Sequence, residues 1–333
     1  MTRRASGTVF GLAYGDALGA PTEFLGMEEI ARRFGPDGPR EPTGSPAPVT
    51  DDTQMALAVA DGLLDAPRDV PLTPDVIVPL WRRRFVDWLY SPDNNRAPGN
   101  TCLRACEGLA AGLPWLQATQ RDSKGCGANM RVAPVGLVPG LTAEQRSAAA
   151  QLQAALTHGH PTGLAASELT AYAVRWLCDG LAPAGLPAAL RDHCHAQRTT
   201  YHEDWLGDLW QRPAIDSPAA FISRGWDECL GVLDRLDAAL AAPDRRADPC
   251  AATGAGWVAE EALATGLLCF LLFPDDPVGA LARGAASSGD SDSIACLAGA
   301  FAGAHLGMDA WPPAWRPRIE YTGHLTRVGL AWD

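Results

Sequence analysis

Two short acidic segments hold the residue types in this sequence that are best suited to chemistry. They read VTDDTQ at 49–54 and SGDSDSI at 288–294. Each places two aspartates beside hydroxyl side chains, directly before an Ala-rich or Leu-rich stretch, which is typical of a capped helix start. Capping explains one aspartate and one hydroxyl. It does not explain two carboxylates at each of two apolar helix starts, because clustered buried charge is costly unless it is compensated.

A pair of hard divalent cations is the compensation that these residue types favour. Mg²⁺ and Mn²⁺ prefer oxygen ligands and accept carboxylate, hydroxyl and water together. If the two segments meet in space, they could hold two ions about 3.5–4 Å apart, the spacing of binuclear hydrolytic sites. Two unrelated capping motifs are the alternative, since Asp and Ser are common at helix starts. The predicted metal ligands are Thr50, Asp51, Asp52, Asp290, Asp292 and Ser293.

Two further segments contain glycines beside residues that could take part in chemistry. The first, GDALGAPTEF, contributes Asp16 and Glu23 among glycines that allow close backbone approach. The second, KGCGANMR, is a turn whose successive N–H groups could cradle a diphosphate, with Lys124 or Arg131 as a nearby cation. It matches neither the Walker pattern nor the dinucleotide-binding G-x-G-x-x-G. Taken alone, it reads more readily as an ordinary loop.

Composition and charge exclude several classes of partner. The chain has 27 Lys and Arg against 39 Asp and Glu, a net charge of −12, and no basic run that would form a nucleic-acid-binding surface. A phosphate-bearing substrate would need metal, backbone N–H groups or a few local cations, because the overall field repels it. The longest apolar stretch, 262–273, is too short to span a membrane. Asp16 interrupts the N-terminal apolar stretch before it reaches signal-peptide length. We therefore expect a cytoplasmic protein with no membrane partner.

The elements that position these segments are predicted to be helices, because Ala and Leu dominate and β-branched residues rarely alternate. The stretch 294–307 lacks a polar face and should be central and closely packed. The Pro/Gly-rich connectors 35–48 and 180–187 are neither long nor polar enough to be convincing interdomain linkers. Helices are predicted at 6–19, 51–65, 74–90, 101–111, 142–157, 162–180, 218–241, 257–272, 276–287 and 292–306.

A histidine-containing segment at 191–212 raises the question of zinc. It holds His193, His195 and His202, followed by two acidic residues. The spacing H-C-H and then H-E-D matches no zinc-ligand pattern. The preferred interpretation is a polar surface segment anchored by aromatic residues.

Taken in order, the motifs resemble those of the ADP-ribosylglycohydrolase family, which includes the dinitrogenase reductase-activating glycohydrolases. The resemblance rests on GLAYGDALGAPTEF, TDDTQM, GNTCLRAC, KGCGANMRVAPVGL, LTHGHPTG and GDSDSIACLAGAFAGA, and TDDT with GDSDS is its most specific part. It covers most of the chain, but residues 181–256 carry no recognisable motif. It implies a single compact, orthogonal multi-helix, all-α domain with a binuclear Mg²⁺ or Mn²⁺ centre at the mouth of an ADP-ribose cleft.

The resemblance also implies roles for individual residues. Metal would be held from one side by Thr50, Asp51 and Asp52, and from the other by Asp290, Asp292 and Ser293. The family more often has Thr where Ser293 stands, but the hydroxyl ligand is kept. Glu23 matches an acidic position that is a mobile metal ligand or an acid/base. The substrate-binding residues implied by the resemblance are Asn100, His158 and the loop Gly125, Cys126, Gly127, Ala128 and Asn129; within that loop Cys126 is more readily a small filler than a reactive group.

The predicted reaction is hydrolysis of the bond between C1″ of ADP-ribose and an acceptor nitrogen or oxygen. Such cleavage passes through an oxocarbenium-like state that needs a nearby carboxylate and an oriented water. Metal would activate the water, and Asp51, Asp292 or Glu23 would handle protons. The expected partner is an ADP-ribosylated protein or another ADP-ribose conjugate, nucleic-acid conjugates included, and the expected state is a monomer. Two alternatives stay open: an inactive ADP-ribose-binding or crystallin-like relative, and a binuclear phosphoesterase.

Overall fold

The structure is a computed structural model that describes residues 2–333. Over that range the chain is all-helical, with three isolated β-bridges and no sheet, which confirms the predicted fold class. None of these helices has the combination of length and apolarity that crossing a membrane requires. The helices are α1 (Arg4–Gly19), α2 (Met27–Phe34), α3 (Asp51–Asp65), α4 (Pro74–Leu89), α5 (Asn100–Ala110), α6 (Trp115–Ala118), α7 (Ala133–Leu137), α8 (Ala143–Ala155), α9 (Pro161–Cys178), α10 (Leu186–Gln197), α11 (Glu203–Leu206), α12 (Pro218–Ala241), α13 (Pro249–Thr253), α14 (Ala259–Leu272), α15 (Pro277–Ala285), α16 (Ser291–Leu306) and α17 (Thr322–Trp332).

All ten predicted helices are present, and α3 and α12 have the predicted bounds. The helices that the sequence did not predict include α6, α7, α11 and α13, each of only four or five residues. A helix of that length completes little more than one turn, so no 3.6-residue hydrophobic period can reveal it.

The closest helix pair in the fold is α1 against α16, and small residues make it possible. Every fourth residue of α1 from Gly7 to Gly19 is glycine, which places all four on one face. A methyl group at Gly11 would lie 2.2 Å from the carbonyl oxygen of Gly299, and one at Gly15 would lie 2.0 Å from that of Ala295. Only hydrogen atoms fit between the two backbones, so α16 is central and closely packed, as predicted.

The segment 191–212 differs from the predicted surface segment. Its first seven residues belong to α10, where Cys194 is fully buried, and Leu206 and Leu209 further along are also fully buried. His193 Nε2 lies 2.7 Å from Glu168 Oε1 of α9, so this histidine pairs with a buried carboxylate. Across residues 2–333 no group of three His, Cys, Asp or Glu ligands forms in this segment, which gives the zinc hypothesis no support.

Candidate active site

A cavity of about 320 Å³ opens where the N-termini of α3, α5 and α16 converge. The helix dipoles place partial positive charge at these three ends, which favours anionic groups there. Both predicted acidic segments contribute to its wall, with Asp51 and Asp52 from one and Asp290 and Asp292 from the other. Its other lining residues include Glu23, Phe24, Asn100, Thr101, Gly125, Cys126, Gly127, His158, Trp257 and Ser293.

The two acidic segments meet although they are far apart in the sequence. Thr50 Oγ1 lies 3.3 Å from Asp52 Oδ2 and 3.5 Å from Asp292 Oδ2. One oxygen each of Glu23, Asp290 and Asp292 lies within 4.8 Å of the others, close enough to share a cation. The structure therefore brings together the six predicted ligands and places Glu23 beside them.

Asp16 of α1, which the sequence analysis named in the first glycine-containing segment but gave no role, fixes the start of α3. It is fully buried and accepts hydrogen bonds from the backbone N–H of Thr50 at 3.0 Å and of Thr53 at 3.1 Å. The hydroxyls of the same two threonines also donate to it. One carboxylate thus caps α3 and orients the ligand Thr50. An aspartate inside the apolar run LAYGDALGA was the sequence signal, because such a charge needs partners.

The carboxyl groups of the cavity destabilise one another's ionised forms. Burial, followed by the charge of Asp292, raises the pKa of Asp51 to about 7 and that of Glu23 to about 8. The same two causes raise the pKa of Asp52 and Asp290 well above the usual range. Within residues 2–333, Asp52 Oδ1 is buried without a hydrogen-bond partner. The cluster therefore has a strong deficit of positive charge.

The donor atoms of the cluster fit hard divalent cations. They are carboxylate and hydroxyl oxygens, the ligands that Mg²⁺ and Mn²⁺ prefer. The Cys126 thiol also lies at the cavity, but burial and the charge of Asp290 hold its pKa well above the usual range, so it stays protonated and is a poor ligand. The unpartnered Asp52 oxygen is the kind of orphaned acceptor that a cation would satisfy.

The glycine-rich loop divides into a part that lines the cavity and a part that lies behind it. Gly125, Cys126 and Gly127 are in the wall. Ala128 and Asn129 are fully buried: the Ala128 carbonyl accepts from Gln153 and Ser167, and the Asn129 amide donates to the Ala259 carbonyl. Ala128 and Asn129 therefore lie behind the cavity wall, because the short 3₁₀ turn at 126–128 directs them inward, and their contact with substrate stays a prediction.

The diphosphate cradle, which the sequence analysis considered for this loop but ranked below an ordinary loop, gains little support from the hydrogen bonds. The N–H groups of Cys126 and Asn129 bond to the carbonyls of Trp257 and Cys126. Lys124 is paired with Glu228 and Glu260. Arg131 is fully buried and donates to Gln153 and Thr157. The backbone and the two cations are thus largely committed within the protein.

The two isolated positions predicted near the substrate do line the cavity. Asn100 is the first residue of α5 and is exposed. His158 is buried at the cavity wall, and a Cβ atom at Gly125 would lie 3.3 Å from its Nε2. Bulkier residues at position 125 would therefore crowd the imidazole.

An aromatic pair that sequence analysis missed stands at the rim. The rings of Phe24 and Trp257 stack with centroids 5.5 Å apart and planes 15° apart, although 68% of Phe24 and 43% of Trp257 is exposed. Both line the cavity, and Phe24 directly follows Glu23. The two residues are distant in sequence and lie in loops, so no periodic pattern could pair them.

The described residues thus form an all-helical fold around a cavity in which carboxylates converge without positively charged partners. A profile described as ADP-ribosylglycohydrolase matches residues 1–332, and the chain belongs to that family. Membership supports hydrolysis of ADP-ribose linkages as the activity.

Several relatives are similar to this chain over nearly its whole length. The chain is 27% identical to the Escherichia coli protein YegU, and the match covers 97% of this chain and 94% of that protein. It is 26% identical to the ADP-ribosyl-[dinitrogen reductase] glycohydrolase of Rhodospirillum rubrum, covering 95% and 90%. A solved structure titled "ADP-ribosylglycohydrolase-related protein complex" superposes with a TM-score of 0.66 at 25% identity, covering 99% and 96%.

Proposed function

We propose that this protein is a divalent-cation-dependent hydrolase that cleaves the bond between C1″ of ADP-ribose and an acceptor nitrogen or oxygen, reversing ADP-ribosylation. The observation that carries the proposal is the meeting of two acidic helix starts at one cavity, with a buried Asp52 oxygen that has no protein partner. Family membership directs that chemistry to ADP-ribose. The Rhodospirillum rubrum relative, named for ADP-ribosylated dinitrogen reductase, supports a protein conjugate as the substrate.

Two Mg²⁺ or Mn²⁺ ions are the proposed cofactors. Asp290, Asp292 and Glu23 have oxygens close enough to hold one ion, and Ser293 adds a hydroxyl. Bound cations of this kind supply Lewis acidity, neutralise the carboxylates and lower the pKa of water. The residues proposed to hold the second ion are Thr50, Asp51 and Asp52.

The protein's own residues bind and orient the reacting groups. Net hydrolysis breaks the bond from C1″ to the acceptor atom, forms a bond from C1″ to a water oxygen, and delivers a proton to the leaving group. The carboxyls proposed to move protons are Asp51, Asp292 and Glu23, which all face the cavity. Glu23 is half-buried at the mouth, and burial with the Asp292 charge raises its pKa to about 8, so it can hold a proton at neutral pH before cations bind.

Substrate contacts are proposed for the uncharged part of the wall. Gly125 and Gly127 leave room beside His158, and Asn100 offers an amide. The stacked Phe24 and Trp257 form an apolar rim beside Glu23, where the acceptor would pass. We place the acceptor contacts at this rim.

The test is a panel of ADP-ribose conjugates linked through arginine, serine, an acetyl ester and a nucleic-acid end. Each is incubated with pure protein in EDTA, in Mg²⁺ and in Mn²⁺, and free ADP-ribose is measured by chromatography. We expect release from at least one conjugate only when a divalent cation is present. The matched control is Asp122→Asn, an exposed carboxylate outside the cavity, which should behave as the wild type.

Three results would contradict the proposal. Release of AMP in place of ADP-ribose would indicate a phosphoesterase. Binding of ADP-ribose without turnover of any conjugate would indicate an inactive relative. Turnover that is unchanged in EDTA would show that the reaction does not depend on divalent cations.

The monomeric state, the single domain over 1–333 and the cytoplasmic location stay predictions.

A further inference from the structure

A buried chain of hydrogen bonds runs from Arg131 to the cavity. Arg131 is fully buried, and its Nη2 donates to the Gln153 carbonyl at 2.6 Å and to Thr157 Oγ1 at 2.7 Å. Thr157 Oγ1 in turn lies 2.7 Å from His158 Nδ1. His158 lines the cavity, whereas Arg131 does not. The hydrogen bonds therefore connect the buried guanidinium of Arg131 to an imidazole ring in the cavity wall.

The donors and acceptors in this chain can be assigned. A guanidinium only donates, so Thr157 Oγ1 must accept the bond from Arg131. The hydroxyl proton of Thr157 then has two possible acceptors, His158 Nδ1 at 2.7 Å and the Ala154 carbonyl at 3.4 Å. That carbonyl already accepts the N–H of Thr157 at 3.1 Å and of His158 at 2.8 Å. The short bond to the imidazole is therefore the one that the hydroxyl makes.

Two further features favour a hydrogen bond that Thr157 Oγ1 donates and His158 Nδ1 accepts. A hydroxyl that accepts from a cation is polarised and becomes a better donor. The imidazole is buried next to that cation, and burial followed by the charge of Arg131 holds the pKa of His158 well below the usual range. The ring is thus neutral, and one of its nitrogens must accept while the other donates.

We propose that Arg131 and Thr157 are positioning residues that fix His158 as the tautomer with its proton on Nε2, so that this side chain offers the cavity an N–H donor for an anionic oxygen of the substrate. Nε2 belongs to the edge of the ring beside Gly125 and Gly127, where a Cβ at either position would lie 3.3 Å or 3.4 Å away. The proposal assigns a use to a buried arginine that has no carboxylate partner in its hydrogen bonds. The choice of an anionic oxygen as the ligand rests on the proposed function.

The first measurement is independent of any substrate. The 333-residue chain is labelled with ¹⁵N-histidine, and long-range ¹H–¹⁵N correlation spectra distinguish protonated from unprotonated ring nitrogens. His158→Gln assigns the His158 signals among the seven histidines of the chain. We expect Nε2 protonated and Nδ1 unprotonated in the wild type and in Thr157→Ser, which keeps the hydroxyl. In Thr157→Val, which has the shape of Thr without the hydroxyl, the Nδ1-protonated form should appear.

The second measurement uses the conjugate that the wild type cleaves. Thr157→Val should raise KM about tenfold with a smaller change in kcat, because one hydrogen bond to a charged group is weakened. Thr157→Ser should restore KM to within about twofold of the wild type. Arg131→Lys keeps the positive charge but loses the planar set of N–H donors, and its KM should lie between those of the Val and Ser variants. If that variant does not fold, the Ser and Val pair still decides the question.

The outcomes separate this proposal from the proposed function. A wild-type spectrum with the proton on Nδ1 or on both nitrogens overturns the tautomer assignment, as does an unchanged spectrum in Thr157→Val. The expected spectra together with equal KM values in the Ser and Val variants overturn the role in substrate binding. The expected spectra with no turnover of any conjugate contradict the proposed hydrolase alone.

Discussion

Two regions of this molecule bury carboxylates in different ways. Glu168 of α9 is fully buried, and it accepts hydrogen bonds from Gln151 at 2.6 Å and from His193 at 2.7 Å. Burial raises its pKa, but the hydrogen bond and charge of His193, together with smaller effects of His202 and Ser147, outweigh burial and lower the pKa overall. Asp52 is also buried, yet its neighbours are other carboxylates, and its pKa is raised well above the usual range.

The difference shows which of the two regions needs a ligand. The protein itself supplies a donor to each oxygen of Glu168, so this carboxylate is compensated within the folded chain. At the cavity it supplies further acceptors, and the deficit must be met by protons or by cations from solution. Buried acidic residues are therefore a sign of binding only where their surroundings fail to compensate them.

The largest expected effect is on activity. Asp292→Asn should lower the rate of ADP-ribose release by at least about 100-fold. Loss of a residue that only hydrogen-bonds to a metal ligand typically lowers metal affinity or activity by about 10–100-fold, and loss of a ligand should cost more. Glu168→Gln is the matched control, a buried carboxyl changed to its amide outside the cavity, and it should keep most of the activity per folded molecule. Full activity in Asp292→Asn would show that the cavity cluster is structural, like that of Glu168.

The second effect is cation-dependent stability. A cation at one hundred times its dissociation constant should raise the free energy of unfolding by about 2.7 kcal/mol, since the unfolded chain lacks the site. Thermal unfolding in EDTA and in Mg²⁺ or Mn²⁺ measures this gain. Asp290→Asn should lose most of it, and Glu168→Gln should retain it. An equal gain in both variants would place the cations elsewhere.

The third effect is the pH dependence of the metal-free protein. The pKa is raised to about 7 for Asp16 and Asp51, and to about 8 for Glu23, above values of 3.8 and 4.5 in the unfolded chain. The folded state therefore binds more protons between these limits, and stability falls as pH rises from about 4 to about 8.

Urea unfolding at several pH values in EDTA should show a loss of at least about 4 kcal/mol over this range, which is what a single carboxyl raised from 3.8 to about 7 contributes, and saturating Mg²⁺ should remove most of it. Because the pKa of Glu168 is lowered, its contribution has the opposite sign: it is present above pH 4.5 and is lost as pH falls through the folded pKa. Parallel curves in EDTA and Mg²⁺ would contradict a cation-compensated cavity.

The sequence could predict the long helices of the fold and the acidic part of the cavity. Long helices such as α3 and α12 show their hydrophobic period and their caps, so their bounds were predicted correctly. The acidic helix starts were visible because hydroxyls and paired carboxylates stand out before apolar runs. Their meeting in space followed from charge, since neither segment could be buried alone.

Other parts of the site could not be predicted, because adjacent residues of one loop point in different directions. Ala128 and Asn129 follow the wall residue Gly127 but turn into the core. Arg131 was a plausible phosphate ligand by type, yet its partners come from the distant Gln153 and Thr157. The stacking of Phe24 on Trp257 depends on how two loops are placed by the whole fold.

The smallest expected effect compares the two kinds of buried carboxyl directly, through the same change of carboxyl to amide. Glu168→Gln should lower the free energy of unfolding in EDTA by about 1.5 kcal/mol, because it weakens a charge-assisted hydrogen bond with His193. Asp52→Asn should raise it under the same conditions, because it removes a carboxyl that folding forces either to take up a proton or to carry a repelled charge. Urea titration of both variants in EDTA measures the sign of each change in the free energy of unfolding.

In Mg²⁺ the stability gain of Asp52→Asn should become a loss, since the wild type then binds the cation through a carboxylate that the variant lacks. Equal signs for the two variants in EDTA would mean that the chain compensates both regions, and that the cavity has no deficit for a cation to fill.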